Sequence, residues 1–300
     1  MRRLYLAIAT LFLAAAAFAQ QDFSKVEVKA TKIAGSVYML TGAGGNIGVS
    51  VGDDGIVIID DQYAPLAPKI EAALKTITDR PVRFILNTHY HGDHTGGNEH
   101  FGKTAPIVAH ENVRKRLVSG SRRGEHTVPP APPVALPVVT FNDTLTIHLN
   151  GEDVRAVHMP HGHTDGDSVI WFTRSNVVHM GDDYFNAFFP FVDTENGGSV
   201  RGLIANIEKV LATVPDDAKI IPGHGTLSDK AGLRRFHDML RGTLAAVESG
   251  VAAGKSVDQL KSEKVLAQWD EWGKGYIKTD VWITTLHAEA TAPRERGHKH

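Results

Sequence analysis

Apolar and polar positions alternate with period two through "SVYMLTG" and "GNIGVSVGDDGIVIID". β-Branched residues fill many of the apolar places, so both stretches predict strands, with a hairpin turn at Asp53-Asp54-Gly55. The spacing becomes helical in "APLAPKIEAALKTI". "VRFILN" is a short apolar run that predicts a buried strand; "APIVAH" predicts another and "ENVRKRL" a helix. Residues 119–137 break the pattern with five prolines among small polar residues, which predicts a long irregular connection. Strands then return in "VVTFND", "LTIHLNG", "DVRAVHMP", "SVIWFT" and "NVVHMGD". "GLIANIEKVLATV" predicts an amphipathic helix, "AKIIPGHG" a strand running into a loop, and "AGLRRFHDMLRGTLAAVESG" opens a helical stretch reaching about Ala290. Strands followed by strand–helix alternation thus occur on each side of the break. That order predicts two similar halves packed as a sandwich with helices outside.

Composition narrows the class without changing this picture. Three hundred residues at 42% hydrophobic suffice for one sizeable core, and a net charge of −2 gives no basic surplus for nucleic acid. Met1-Arg2-Arg3, the apolar run Leu4 to Ala16 and the small-residue site Ala17-Phe18-Ala19 predict a secretory signal peptide over residues 1–19. The run is too short for a stable membrane span, so a periplasmic chain starting at Gln20 is expected. Residues 20–290 are expected to form a single domain with C-terminal helices, and 291–300 a disordered tail. The chain has no Cys, which excludes disulfides and a lipid-bearing cysteine.

Polar clusters follow four of the predicted strands. "NTHYHGDHTGGN" places His89, His91, Asp93 and His94 after "RFILN"; His163 lies in "GHTDGD", Asp182 and Asp183 in "GDD", and His224 in "PGHG". Imidazoles and carboxylates are costly to desolvate unless something pairs with them. Donors released at strand ends can converge on one edge of a sheet sandwich, and neutral imidazoles suit zinc and its neighbours. Five histidines with carboxylates exceed the needs of one tetrahedral ion, whereas two ions sharing a carboxylate would use all of them. His158, His161 and His110 read as packing or supporting residues. Phe185, Phe188, Phe189 and Phe191 read equally well as an apolar wall or as ordinary core.

The set "HYHGDH", "GHT", "GDD" and "PGHG", with Asp60 in "VIIDD", resembles the metallo-β-lactamase superfamily over about residues 33–227. The resemblance implies an α/β fold, a four-layer αβ/βα sandwich of two mixed β-sheets flanked by helices. It implies two divalent metal ions, zinc first among the candidates. One would be held by His89, His91 and His163, the other by Asp93, His94 and His224, with Asp182 bridging and Asp60 ordering the loop. Asp182 rather than Asp183 fits the family's "GD". Gly92 and the tight spacing would let consecutive side chains of one loop face both ions. A shared water made acidic by the pair would be the nucleophile, with Asp93 orienting it. The implied activity is an exported hydrolase opening a cyclic amide or ester of a small molecule. β-Lactams lead, although Asp182 stands where many β-lactamases have Cys, and Phe185 where many have Lys. A thioester hydrolase of the glyoxalase II type or a lactonase is the alternative, and a non-catalytic metal-binding protein the alternative of another class.

Overall fold

The computed structural model describes residues 22–123 and 126–292. The expected signal peptide and most of the expected tail lie outside them. Strands β1 (Lys29–Ala34), β2 (Val37–Thr41), β3 (Ile47–Gly52), β4 (Gly55–Ile59), β5 (Val82–Leu86) and β6 (Ile107–His110) form one sheet in sequence order. A hairpin of β7 (Ser121–Arg123) and β8 (His126–Val128) follows, and β9 (Val139–Phe141) closes that sheet beside β6. The second sheet runs in order through β10 (Thr144–Leu149), β11 (Glu152–His158), β12 (Ser168–Phe172), β13 (Val177–His179), β14 (Lys219–Ile221) and β15 (Ser228–Asp229). Both sheets are mixed: β1 to β4 are antiparallel and β4, β5, β6 and β9 parallel, while in the second only β13 and β14 run parallel.

The helices are α1 (Ala67–Lys75), the short α2 (Gly92–Thr95) and α3 (Asn98–Phe101), α4 (Glu111–Ser119), α5 (Val200–Thr213), α6 (Lys230–Ala252), α7 (Val257–Ser262) and α8 (Thr279–Thr291). Alternate residues of a strand face opposite sides, so three apolar layers arise. Val57, Ile59 and Leu86 meet Val154, Ile170 and Ile221 between the sheets. Ile56, Ile58 and Ile85 pack on Ile70 and Leu74 of α1. Val169 and Val178 pack under Leu203 of α5, Phe236 of α6 and Trp282 of α8. Both faces of β4 are covered, which is why it reads as the unbroken apolar run "GIVII". The result is the expected αβ/βα sandwich.

Two readings change. Residues 119–137 are not wholly irregular. Ser121↔Val128 and Arg122↔Thr127 pair as a hairpin, and the prolines begin only at Pro129, beyond the last ladder position. Strand β1 carries little apolar signal because it is a half-exposed edge strand with two lysines. Among the described residues no helix is long and apolar enough to cross a membrane.

Candidate metal centre

The donors stand at the C-terminal ends of strands from both sheets. β5 leads through Thr88 into His89, His91, Asp93 and His94; β11 leads to His163, β13 to Asp182 and β14 to His224. The structure brings all seven together in two groups, His89, His91, His163 and Asp182 in one, Asp93, His94 and His224 in the other. The Asp182 carboxylate lies between them. Its Oδ2 is 3.8 Å from His89 Nε2 and 3.5 Å from His163 Nε2; its Oδ1 is 3.1 Å from His94 Nε2 and 3.3 Å from His224 Nε2. Asp93 Oδ2 is 3.3 Å from His224 Nε2. His91, Asp93, Asp182 and His224 open onto one cavity.

The far side of each ring fixes which nitrogen carries the proton. His163 Nδ1 donates to the Phe191 carbonyl at 2.7 Å, and His91 Nε2 faces Asp193 Oδ2 at 2.9 Å. His163 Nε2 and His91 Nδ1 therefore present lone pairs to each other at 2.8 Å. Thr88 donates its hydroxyl to Asp60 Oδ2 at 2.7 Å, so it accepts from His89 Nδ1 at 3.0 Å and leaves the His89 Nε2 lone pair facing inward. His94 Nδ1 donates to Asp60 Oδ2 at 2.7 Å, and its Nε2 faces Asp182 Oδ1. His89 Nε2 and Asp182 Oδ1 are buried acceptors with no hydrogen bond. Inward lone pairs with nothing to donate to them are what a cation satisfies, so this donor set fits divalent metal.

Electrostatics agree. Burial holds His163 down to about 3, with Asp182 opposing, and pushes His89 well below the imidazole range, so both rings are neutral. Against the cost of burial, the carboxylates of Asp182 and Asp93 lift His224 to about 9. Asp93 falls to about 2 despite burial, because His94 and His224 face it. The second group thus attracts positive charge.

Asp60 orders the loop as the resemblance implied: it also accepts from the Thr88 backbone N–H at 2.7 Å. It does so at φ 65°, a strained conformation for a residue with a side chain. A Cβ at position 45 would lie 2.1 Å from His94 Cε1, so only glycine lets that ring reach its place. Gly92 differs from expectation. A Cβ there would meet nothing within 4 Å, and the residue opens the short helix α2 with ordinary backbone. The tight spacing comes from that helical turn, with extended His91 before it, rather than from glycine freedom.

Asp183 turns away from the donors. Its Oδ1 accepts from the His163 backbone N–H at 3.2 Å, and burial raises its carboxyl to about 7. His158 stacks on His110 at 3.7 Å and bonds the Asp167 carbonyl, and His161 bonds the Gly197 carbonyl; neither joins the cluster. Phe185 and Phe189 belong to the core, Phe188 and Phe191 pack against it, and all four also line the cavity. The C-terminal segment adds Gly275, Tyr276 and Ile277. Asp193 escaped the sequence reading. It lies in "FVDTEN", outside any donor motif, and only the fold brings it to His91 and the Tyr90 hydroxyl.

The sequence pattern of the metallo-beta-lactamase superfamily matches residues 40–224, more than half of the chain. The chain belongs to the metallo-β-lactamase superfamily. Within it, a hydroxyacylglutathione hydrolase of Nitrosococcus oceani is 31% identical over 152 residues, 49% of this chain and 50% of that protein. Another of Polaromonas sp. is 30% identical over 187 residues, 60% of this chain and 64% of that protein. The match thus spans between half and two thirds of these relatives. A metallo-beta-lactamase from Pontibacter korlensis shares the superfamily fold with a TM-score of 0.59 at 20% identity, covering 72% of this chain and 99% of its own.

Proposed function

We propose that this protein is a binuclear metallohydrolase that cleaves the acyl bond of a small ester, thioester, lactone or cyclic amide outside the cytoplasm. The observation that carries the reading is Asp182, whose two carboxylate oxygens face the two donor groups separately. His89, His91 and His163 would hold one cation, Asp93, His94 and His224 the other, with Asp182 common to both. Two divalent cations, zinc first among them, would supply Lewis acidity and a water acidic enough to attack near neutral pH. The side chains do the rest. Asp60, Thr88, Asp193 and the Phe191 carbonyl keep the ring lone pairs inward. Asp93 sets one oxygen toward His224 and has a second to accept the proton of the attacking water. The phenylalanines beside His224 and His163 exclude bulk water from the reacting bond.

The relatives named hydroxyacylglutathione hydrolase favour an ester-type bond over the β-lactam amide. Export is supported by the apolar run of residues 4–16 and the Ala-Phe-Ala site. Metal-analysed protein tested on a chromogenic cephalosporin, an aryl lactone and an S-acyl thioester decides the matter. Close to two ions per chain with turnover of an acyl substrate is expected. Full metal loading without turnover of any of them would leave a metal-binding protein instead.

A further inference from the structure

The cavity before the donors measures about 440 Å³, a small-molecule size. Its inner end is polar, with His91, Asp93, Asp182 and His224. Its outer wall is Phe185, Phe188, Phe191 and Ile277, with Tyr63 and Tyr276 completing it. Among the described residues, no lysine or arginine lines it.

This wall is built, not incidental. The Phe185 ring lies nearly parallel to His224, with centroids 5.0 Å apart and planes 17° apart. Phe189 N–H donates to the Trp272 carbonyl at 2.9 Å, which ties the phenylalanine loop to the C-terminal segment. Phe189 stacks on the buried Trp282 of α8. A Cβ at position 275 would sit 2.7 Å from the Phe188 ring, so glycine there lets the backbone lie against that ring.

A carboxylate resting on this outer wall, away from the donors, loses water and meets no lysine or arginine. An uncharged apolar group gains by leaving water. β-Lactams and glutathione thioesters both carry a carboxylate away from the scissile bond, and uncharged esters and lactones do not. We propose that the substrate of this site is an uncharged ester or lactone whose acyl part is apolar and rests on Phe185, Phe188, Phe191 and Ile277. The proposal rests on the hydrolase reading above. In the reaction, water adds to the acyl carbon, the acyl C–O bond breaks, and the oxygen that leaves takes a proton. The products are an acid and an alcohol, or a hydroxy acid from a lactone.

The test compares 4-nitrophenyl hexanoate with the mono-4-nitrophenyl ester of adipic acid on metal-loaded protein. The two acyl chains match in length and differ in a terminal carboxylate. After correction for spontaneous hydrolysis, kcat/KM should favour the hexanoate at least ~10-fold. Tyr276→Arg, at a position 90% exposed and tolerant of a charged side chain, should shift that ratio toward the adipate ester several-fold. Calorimetric binding of N-phenylhexanamide and its ω-carboxylate analogue reads the wall without turnover, and the neutral amide should bind tighter. Ester hydrolysis with no preference, or with preference for the carboxylate, would overturn the proposal and leave the hydrolase reading intact. Amide selectivity with neither ester hydrolysed, and an aryl lactone left intact as well, would overturn the ester or lactone as substrate. Neither turnover nor amide binding would overturn the proposal, and the cephalosporin and thioester of the panel above then decide the hydrolase reading separately.

Discussion

Asp60 does three jobs from one strained position: it accepts from Thr88 twice and from His94 Nδ1 once. Asp60→Ala leaves the His94 ring free to turn and should weaken metal affinity by ~10–100-fold, read by chelator competition. An unchanged affinity would show that the ring is held by packing alone. The contrast between neighbouring aspartates is sharper. Asp182→Ala removes a carboxylate whose two oxygens face the two donor groups and should lower turnover of any accepted substrate at least ~10²-fold, about 2.7 kcal/mol at the transition state. Asp183→Ala should cost far less turnover, because Asp183 holds the His163 backbone rather than facing the donors. Equal losses, or equal loss of metal, would show that Asp183 matters to the centre as much as its neighbour. The donors were legible because imidazoles and carboxylates recur just past apolar runs. Asp193 was not, since a single aspartate beyond a run of phenylalanines has no local signature.

At the scale of elements, α4 offers a test of pH dependence. His110 caps it, its Nδ1 accepting from the Asn112 N–H, while its ring stacks on His158 with planes 5° apart. Burial, then the neighbouring His158, push His110 from 6.5 down to about 4, and burial lowers His158 too. The unfolded chain therefore takes up this proton more readily than the folded one. The stability it represents is whole above pH 6.5 and is lost as pH falls toward about 4. His110→Asn keeps a capping acceptor and cannot titrate. Its melting temperature should start below wild type, for want of the stack, and fall less between pH ~7.5 and ~5. Parallel curves would refute the assignment. Most strands and helices could be read from periodicity, because two covered faces or one leave different apolar patterns. β1 and the β7–β8 hairpin could not, since half-exposed or very short strands bury too little to show a period.

For the whole molecule, the C-terminal helices are part of the sandwich. Trp282 is fully buried, and its Nε1 donates to Thr243 Oγ1 of α6 at 3.1 Å. Trp282→Ala should cost ~3–5 kcal/mol in denaturant unfolding, and a loss under about 1 kcal/mol would mean that α8 is peripheral. The fold class followed from the order of elements, and a helical C-terminal region covering the site was expected, but which of its residues line the cavity was not legible. Nothing in "GKGYIK" marks Tyr276 and Ile277 as wall residues until the chain returns to Phe188. The leader is testable on the intact cell: mass spectrometry of the periplasmic fraction should show a chain beginning at Gln20, and an uncut membrane-bound product would refute export.

The donors are divided between the sheets, four following β5 and three following β11, β13 and β14. A cation bound there is a cross-link between the two halves of the chain, made only when they are docked. By mass action each site would add about 4 kcal/mol to the native state when free metal exceeds its dissociation constant ~1,000-fold. The lifetime of the protein then becomes a readout of metal supply. Chelated chains should open at the seam between the sheets and be cut by protease faster than loaded ones, whatever substrate is present. Equal cutting rates would mean that the apolar layer between the sheets holds the halves together unaided.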